Sequence, residues 1–118
     1  VALDILEAVN STTTKRIVVS IQNHDTLDFL RPDDVIEISC DLSRDGFKPV
    51  TPVKVPTAQK NMIACVKEYE RLAVAAILQQ DKSLAVRALM AHPLIGSYSL
   101  AKTLVEAYLD DEQFAAWR

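Results

Sequence analysis

A few side chains in this sequence are of types that do chemistry. His24 stands between Asn23 and Asp25, where a β-branched run ends. Titratable residues at strand ends are common material for sites, while the plainer reading is a solvated turn. His92 precedes Pro93 at a helix end, where a cation interacts well with exposed carbonyls, so it reads as a cap. Glu70 has Val66, Ala73 and Val74 as its helical neighbours, with Ile63 and Ile77 extending that line. A carboxylate there is partly desolvated, and its pKa rises unless it is paired. It is either a pocket acid or an anchor bonded to a backbone donor or an arginine. Asp25, Asp28, Asp33 and Asp34 share one loop. Their spacing fits no calcium loop and the glycine of such a loop is missing. They read as a solvated acidic loop, with Asp33 ending the turn after Pro32.

Cys40 and Cys65 match no zinc spacing and read as small, reduced core residues. No serine lies in a nucleophile elbow, and neither histidine has a serine or cysteine partner in sequence. No catalytic, cofactor-binding or metal-ligating residue is assigned from residue types and spacing. With only Gly46 and Gly96 present, a glycine-rich dinucleotide loop is impossible.

The elements that must position these residues divide by sequence. Leu3, Leu6 and Val9, with Ile5 alongside, predict a short helix over residues 2–9. Ile17-Val18-Val19-Ser20-Ile21 predicts a strand. From Ile36 onward alternation sets Ile36, Ile38, Cys40 and Leu42 on one face and Glu37, Ser39 and Asp41 on the other. The two strands should pair antiparallel around the loop 22–34, and Asp45-Gly46 should turn the chain. Pro49, Pro52 and Pro56 predict an extended connector without ladder pairing.

Thr57 is the expected N-cap of a helix reaching about Gln80. Its apolar sector is Met62, Val66, Tyr69, Ala73 and Ile77 with Cys65, Leu72 and Ala76; Lys60, Lys67 and Arg71 lie opposite. Asp81 or Ser83 starts a second helix that Pro93 stops. Gly96-Ser97 caps a third, burying Leu100, Leu104 and Tyr108. Asp110-Asp111 starts a last turn carrying Phe114 and Trp117. The class is α+β: a small antiparallel sheet with a packed helical C-terminal half.

The chain has 118 residues, enough for a single domain with its own core. Its hydrophobic fraction of 49% and charged fraction of 25% are ordinary for a globular protein. Lys and Arg number 13 against 16 Asp and Glu, giving a net charge of −3. That balance argues against a nucleic-acid partner. No apolar run is long enough to cross a bilayer. There is no signal peptide, and reduced thiols suit the cytoplasm. The chain opens on Val1 and reads as a piece of a longer protein.

The order of segments is also familiar. Ile17-Val-Val-Ser-Ile-Gln-Asn23 is followed by a loop ending Leu30-Arg-Pro-Asp-Asp34, then Val35-Ile-Glu-Ile-Ser-Cys40, Asp45-Gly46 and Pro49. Tyr69-Glu70-Arg71-Leu72-Ala73-Val74 and Ala88-Leu89-Met90-Ala91-His92-Pro93-Leu94 come next. This series resembles the C-terminal region of the NAD-dependent glycosidases of glycoside hydrolase family 4, most of all the 6-phospho-β-glucosidases.

The resemblance implies a fragment of a lactate-dehydrogenase-like C-terminal domain, with the Rossmann domain absent from this chain. It implies a parent enzyme that hydrolyses phosphorylated disaccharides. In that family bound NAD oxidises the sugar C3 hydroxyl, and a divalent metal, typically manganese, supports removal of the C2 proton by a tyrosine. The family stands outside the two-carboxylate rule of glycoside hydrolysis. The resemblance further implies a homo-oligomer. The family's cofactor loop, metal ligands and base tyrosine lie upstream, so no cofactor is expected on this chain and it is expected to be inactive alone. Asn23 matches a recurrent family asparagine, and Tyr69-Glu70 matches the long helix. Asn23, His24 and Glu70 thus stand as pocket or structural candidates. One departure is Val50-Thr-Pro-Val-Lys-Val-Pro56, where the family usually shows a glycine before a Leu-Pro pair. A severed domain should expose apolar surface where it met its neighbours.

Two other readings are a free-standing interaction or regulatory module using its helical face, and a small independent enzyme centred on His24 and Glu70.

Overall fold

The computed structural model describes residues 2–50, 54–110 and 114–117. They belong to two units, Val1–Val55 and Pro56–Arg118, the first built around a sheet and the second helical. The class is α+β, as its composition of elements predicts.

In the first unit α1 spans Ala2–Asn10, β1 Lys15–Gln22, β2 Val35–Ser43 and β3 Gly46–Pro49. The sheet is antiparallel in the order β1-β2-β3. Ile17 lies opposite Cys40, Val19 opposite Ile38 and Ile21 opposite Ile36. This register puts the alternating apolar residues of both strands on one face, as side chains two apart on a strand must be. Ile21, Ile36 and Cys40 are buried there, with Leu27 and Leu30 from the intervening loop packed on them. On the other face Arg16 grips its cross-strand partner Asp41 through two hydrogen bonds of 2.8 and 3.0 Å.

β3 corrects one expectation. The prolines predict an unpaired connector from Pro49 onward, yet Pro49 pairs with Cys40, at the end of a short strand in which Phe47 pairs with Leu42. Proline lacks a donor but is tolerated on an edge strand, where one side of the backbone needs no partner. The Val50 amide still donates to the Ser39 carbonyl at 2.8 Å. Gly46, at φ +110°, makes the turn into β3 that a side chain would strain. Pro52 lies outside the described residues.

Helix α1 forms where expected but buries a different stripe. Ala8 is buried and Asp4 and Ile5 are half-buried, whereas Leu3, Leu6 and Val9 are exposed, Leu3 at 80%. Lys15 ties the helix to β1 through Asp4 and Glu7.

The second unit holds α2, Thr57–Gln79, α3, Lys82–Ala91, and α4, Tyr98–Tyr108. Thr57 is the first helical residue of α2 and not its cap. Pro56 takes the cap position in extended conformation, and its carbonyl accepts from Lys60 at 3.0 Å. Gln80 ends α2 in the left-handed region at φ 53°, so that the Asp81 amide reaches back to the Ala76 carbonyl at 3.1 Å. Asp81 then caps α3, accepting from the Ser83 and Leu84 amides at 2.7 and 3.1 Å. Ser97 caps α4 as expected.

Which residues these helices bury differs from the sequence reading. The buried positions are Ala76, Ala88, Ala101 and Val105. Met62, Ile77, Leu100 and Tyr108 are exposed, as is Cys65. The predicted sector on α2 was too broad. Helices brought close by alanines bury those alanines and leave flanking large side chains at the rim. Lys67 and Arg71, assigned to the far side, are the better shielded residues of their ion pairs with Glu70 and Glu68. The final turn is present in part: the Trp117 amide donates to the Phe114 carbonyl at 3.0 Å and the two rings meet edge to face. Asp111 lies outside the described residues.

Candidate functional site

The loop after β1 is built around Asn23. Its side chain is fully buried, among the largest such side chains described. Its Oδ1 accepts from the Leu27 amide at 2.8 Å. Its Nδ2 donates to the carbonyls of Leu27 at 3.0 Å and Arg31 at 3.1 Å. Its own amide donates to the Asp34 carbonyl at 2.7 Å, and its carbonyl accepts from Thr26 at 2.8 Å. A carboxamide is the side chain that suits this place, because it both donates and accepts along one loop. Buried backbone groups need partners, and here one side chain supplies several of them.

The same loop explains its other polar residues. The Asp34 carboxylate, almost fully buried, accepts from the Arg31 amide at 2.9 Å, and its own amide donates to the Arg31 carbonyl. Asp34, and not Asp33, closes the turn after Pro32. No sequence motif marks this role, since the Asp34 carboxylate takes a backbone amide three residues back in the chain. Asp25, Asp28 and Asp33 are exposed, as a solvated loop predicts. His24 follows Asn23 in a left-handed conformation at φ 48°. Its amide is held by the Pro32 carbonyl at 2.8 Å, while its side chain is exposed. A non-glycine residue in that region is uncommon.

Glu70 is exposed and pairs with Lys67 one turn earlier on α2. The partner is neither the backbone donor nor the arginine weighed for it. Asn23 and His24 are therefore neighbours in one loop of the first unit, and Glu70 sits on a helix of the second. Within neither unit do the three make one cluster. His92 does cap α3, but by another route than charge: its backbone amide donates to the Leu89 carbonyl, and its Nδ1 accepts from the Leu94 amide at 3.2 Å. Its ring stands edge to face with Tyr69, centroids 4.8 Å apart.

Each unit carries an open apolar cleft. In the second, a groove of about 580 Å³ is bordered by Tyr69, Ile77, Leu89, Leu104, Tyr108 and Trp117. In the first, a cleft of about 450 Å³ is bordered by Ile5, Ile17, Val19, Leu42 and Phe47. Among the described residues neither is lined by a carboxylate, a histidine or a thiol.

The donor sets for a metal or a dinucleotide are not assembled. Among the described residues no group of three His, Cys, Asp or Glu could hold a metal ion. Gly46 and Gly96, the two glycines of the chain, lie far apart in sequence and form no glycine-rich turn of the kind that cradles a pyrophosphate. The described residues therefore assemble no donor set for a divalent ion, and the sequence has no glycine-rich loop for NAD. Burial pushes the Cys40 thiol pKa up, away from the thiolate that a ligand or nucleophile requires. No described helix is long and apolar enough to cross a membrane.

Comparison with known proteins gives a consistent result. The model of the family 4 glycosyl hydrolase C-terminal domain matches residues 1–95. The 6-phospho-beta-glucosidase BglT of Thermotoga maritima is 33% identical over 93 residues, which is 79% of this chain and 22% of that protein. A probable 6-phospho-beta-glucosidase of Bacillus subtilis is 25% identical over 92 residues, 78% of this chain and 21% of its own length. Among solved structures, the 6-phospho-beta glucosidase of Thermotoga maritima with manganese, NAD+ and glucose-6-phosphate has a TM-score of 0.80 at 29% identity. It aligns with 95% of this chain, which covers 28% of that one. A 6-phospho-alpha-glucosidase from gut microorganisms, in complex with NAD and Mn2+, has a TM-score of 0.81 at 19% identity, over 92% of this chain and 25% of its own; that is a likeness of fold. The chain thus spans between a fifth and a quarter of the sequence relatives named here. With the family model matching residues 1–95, most of its length, this chain belongs to the family 4 glycosyl hydrolases, as part of their C-terminal domain.

Proposed function

We propose that this chain is a part of the C-terminal domain of a 6-phospho-β-glucosidase. The parent hydrolyses phosphorylated disaccharides by the oxidation-elimination route of its family, in the cytoplasm and as a homo-oligomer. The observation that carries this reading is the family match over residues 1–95, shared in sequence and in fold with the 6-phospho-beta-glucosidase of Thermotoga maritima. In this reading NAD and manganese are held by segments of the parent other than this chain, as the family resemblance implies; the sequence has no glycine-rich loop, and the described residues hold no group of three metal ligands. A dinucleotide-binding domain lies elsewhere in the parent, and this chain is catalytically silent alone.

Its own contribution is structural. Asn23 sets the loop between β1 and β2, and Glu70 serves a surface ion pair. The exposed apolar residues of α1 and α2 suit packing against the rest of the parent. The small-enzyme reading finds no support in its two residues, since His24 is exposed in its loop and Glu70 is taken up by an ion pair with Lys67. The interaction-module reading keeps only the exposed helical residues in its favour, and the family match favours the glycosidase.

The test is release of aglycone from a chromogenic 6-phospho-β-glucoside. The parent-length protein should turn over only when NAD and manganese are both supplied, and the 118-residue chain should show no turnover under any condition. Activity of the short chain, or a parent indifferent to NAD, would overturn the proposal.

A further inference from the structure

We draw no further inference here: the strongest candidate, the apolar groove among α2, α3 and α4 bordered by Tyr69, Ile77, Leu104, Tyr108 and Trp117, carries nothing because no feature of the structure shows what covers it.

Discussion

The two units of this chain reach order by different means. The sheet unit buries residues of some size, Ile21, Ile36, Cys40 and Leu42, and closes its longest loop with a buried carboxamide. The helical unit buries three alanines and a valine, and its helix junctions rest on local caps at Gln80, Asp81 and Ser97. Several of its large apolar side chains stay outside, Ile77 at 62% and Leu78 at 79% exposed, and others such as Leu72 and Leu89 are only half-buried. The contrast teaches that polar satisfaction and apolar burial are separate achievements. A buried amide can lock a loop with a modest core, and long helices can be well capped while their best hydrophobic surface awaits a partner.

That contrast can be broken first at Asn23. Asn23→Ala removes the bonds that the Asn23 side chain makes across the loop and strands the Leu27 amide, while the Asp34 carboxylate still holds the Arg31 amide. The expected loss is about 3 kcal/mol, since each buried polar group left unpaired costs about 1–3 kcal/mol. Urea unfolding should show an earlier transition for amides of β1 and β2, with amides of α2 little changed in hydrogen exchange. Equal loss of protection in both units would show that they unfold as one.

The two cysteines compare the units directly. Cys40→Ser buries a hydroxyl in the sheet core and should cost about 1–3 kcal/mol, while Cys65→Ser, at an exposed position, should stay within about 0.5 kcal/mol. A thiol reagent on the native protein should label Cys65 quickly and Cys40 only on opening. Rapid labelling of both would contradict the burial assigned to Cys40.

Among the described residues each unit also carries one left-handed non-glycine residue, His24 in the sheet unit and Gln80 in the helical one. His24→Gly and Gln80→Gly should each stabilise by up to about 1 kcal/mol, the relief of the left-handed strain being partly offset by the entropy of glycine in the unfolded chain. Thermal melts of the two variants check this. Destabilisation at His24 alone would point to a side-chain role that its exposure does not explain.

The smallest effects are in pH. The Leu84 and Ser83 amides beside Asp81 hold its carboxyl pKa below the usual 3.8. A depressed carboxyl pKa means stability present above the unfolded value and lost as pH falls through the folded one, so α3 should fray only below about pH 4. Glu7 raises the Lys15 pKa above 10.5. A raised amine pKa means stability present below 10.5 and lost as pH climbs through the folded value, so α1 should loosen from the sheet in alkali. Asp81→Asn should abolish the acid effect on amides of α3. NMR amide intensities across the two ranges separate acid fraying in one unit from alkaline loosening in the other.

Alternation made β2 legible, down to which of its residues share a face, because side-chain direction along a strand is set by covalent geometry; β1 was legible from its β-branched run. Asp81, Ser97 and Pro93 marked helix ends for an equally local reason: a cap acts on amides two or three residues away. The resemblance to the family was carried by the order of such segments. β3 escaped because Pro49 argues against a ladder unless one knows that the strand lies on an edge. The roles of Asn23 and Asp34 escaped because their partners are backbone groups, which all residue types share and no motif records.

The amino-acid order by itself thus determined the helices, β1 and β2, the caps at Asp81 and Ser97 and the inward face of β2, all of which depend on neighbours a few bonds away. Only the tertiary structure decided that α1 buries Ala8 and leaves Leu3 and Leu6 outside, that α2 buries Ala76 and not Met62, and that Cys65 is exposed while Cys40 is not. An apolar stripe states that a helix can be buried there. Which part of the stripe is covered depends on how closely the facing element approaches, and that distance is set by side chains remote in sequence.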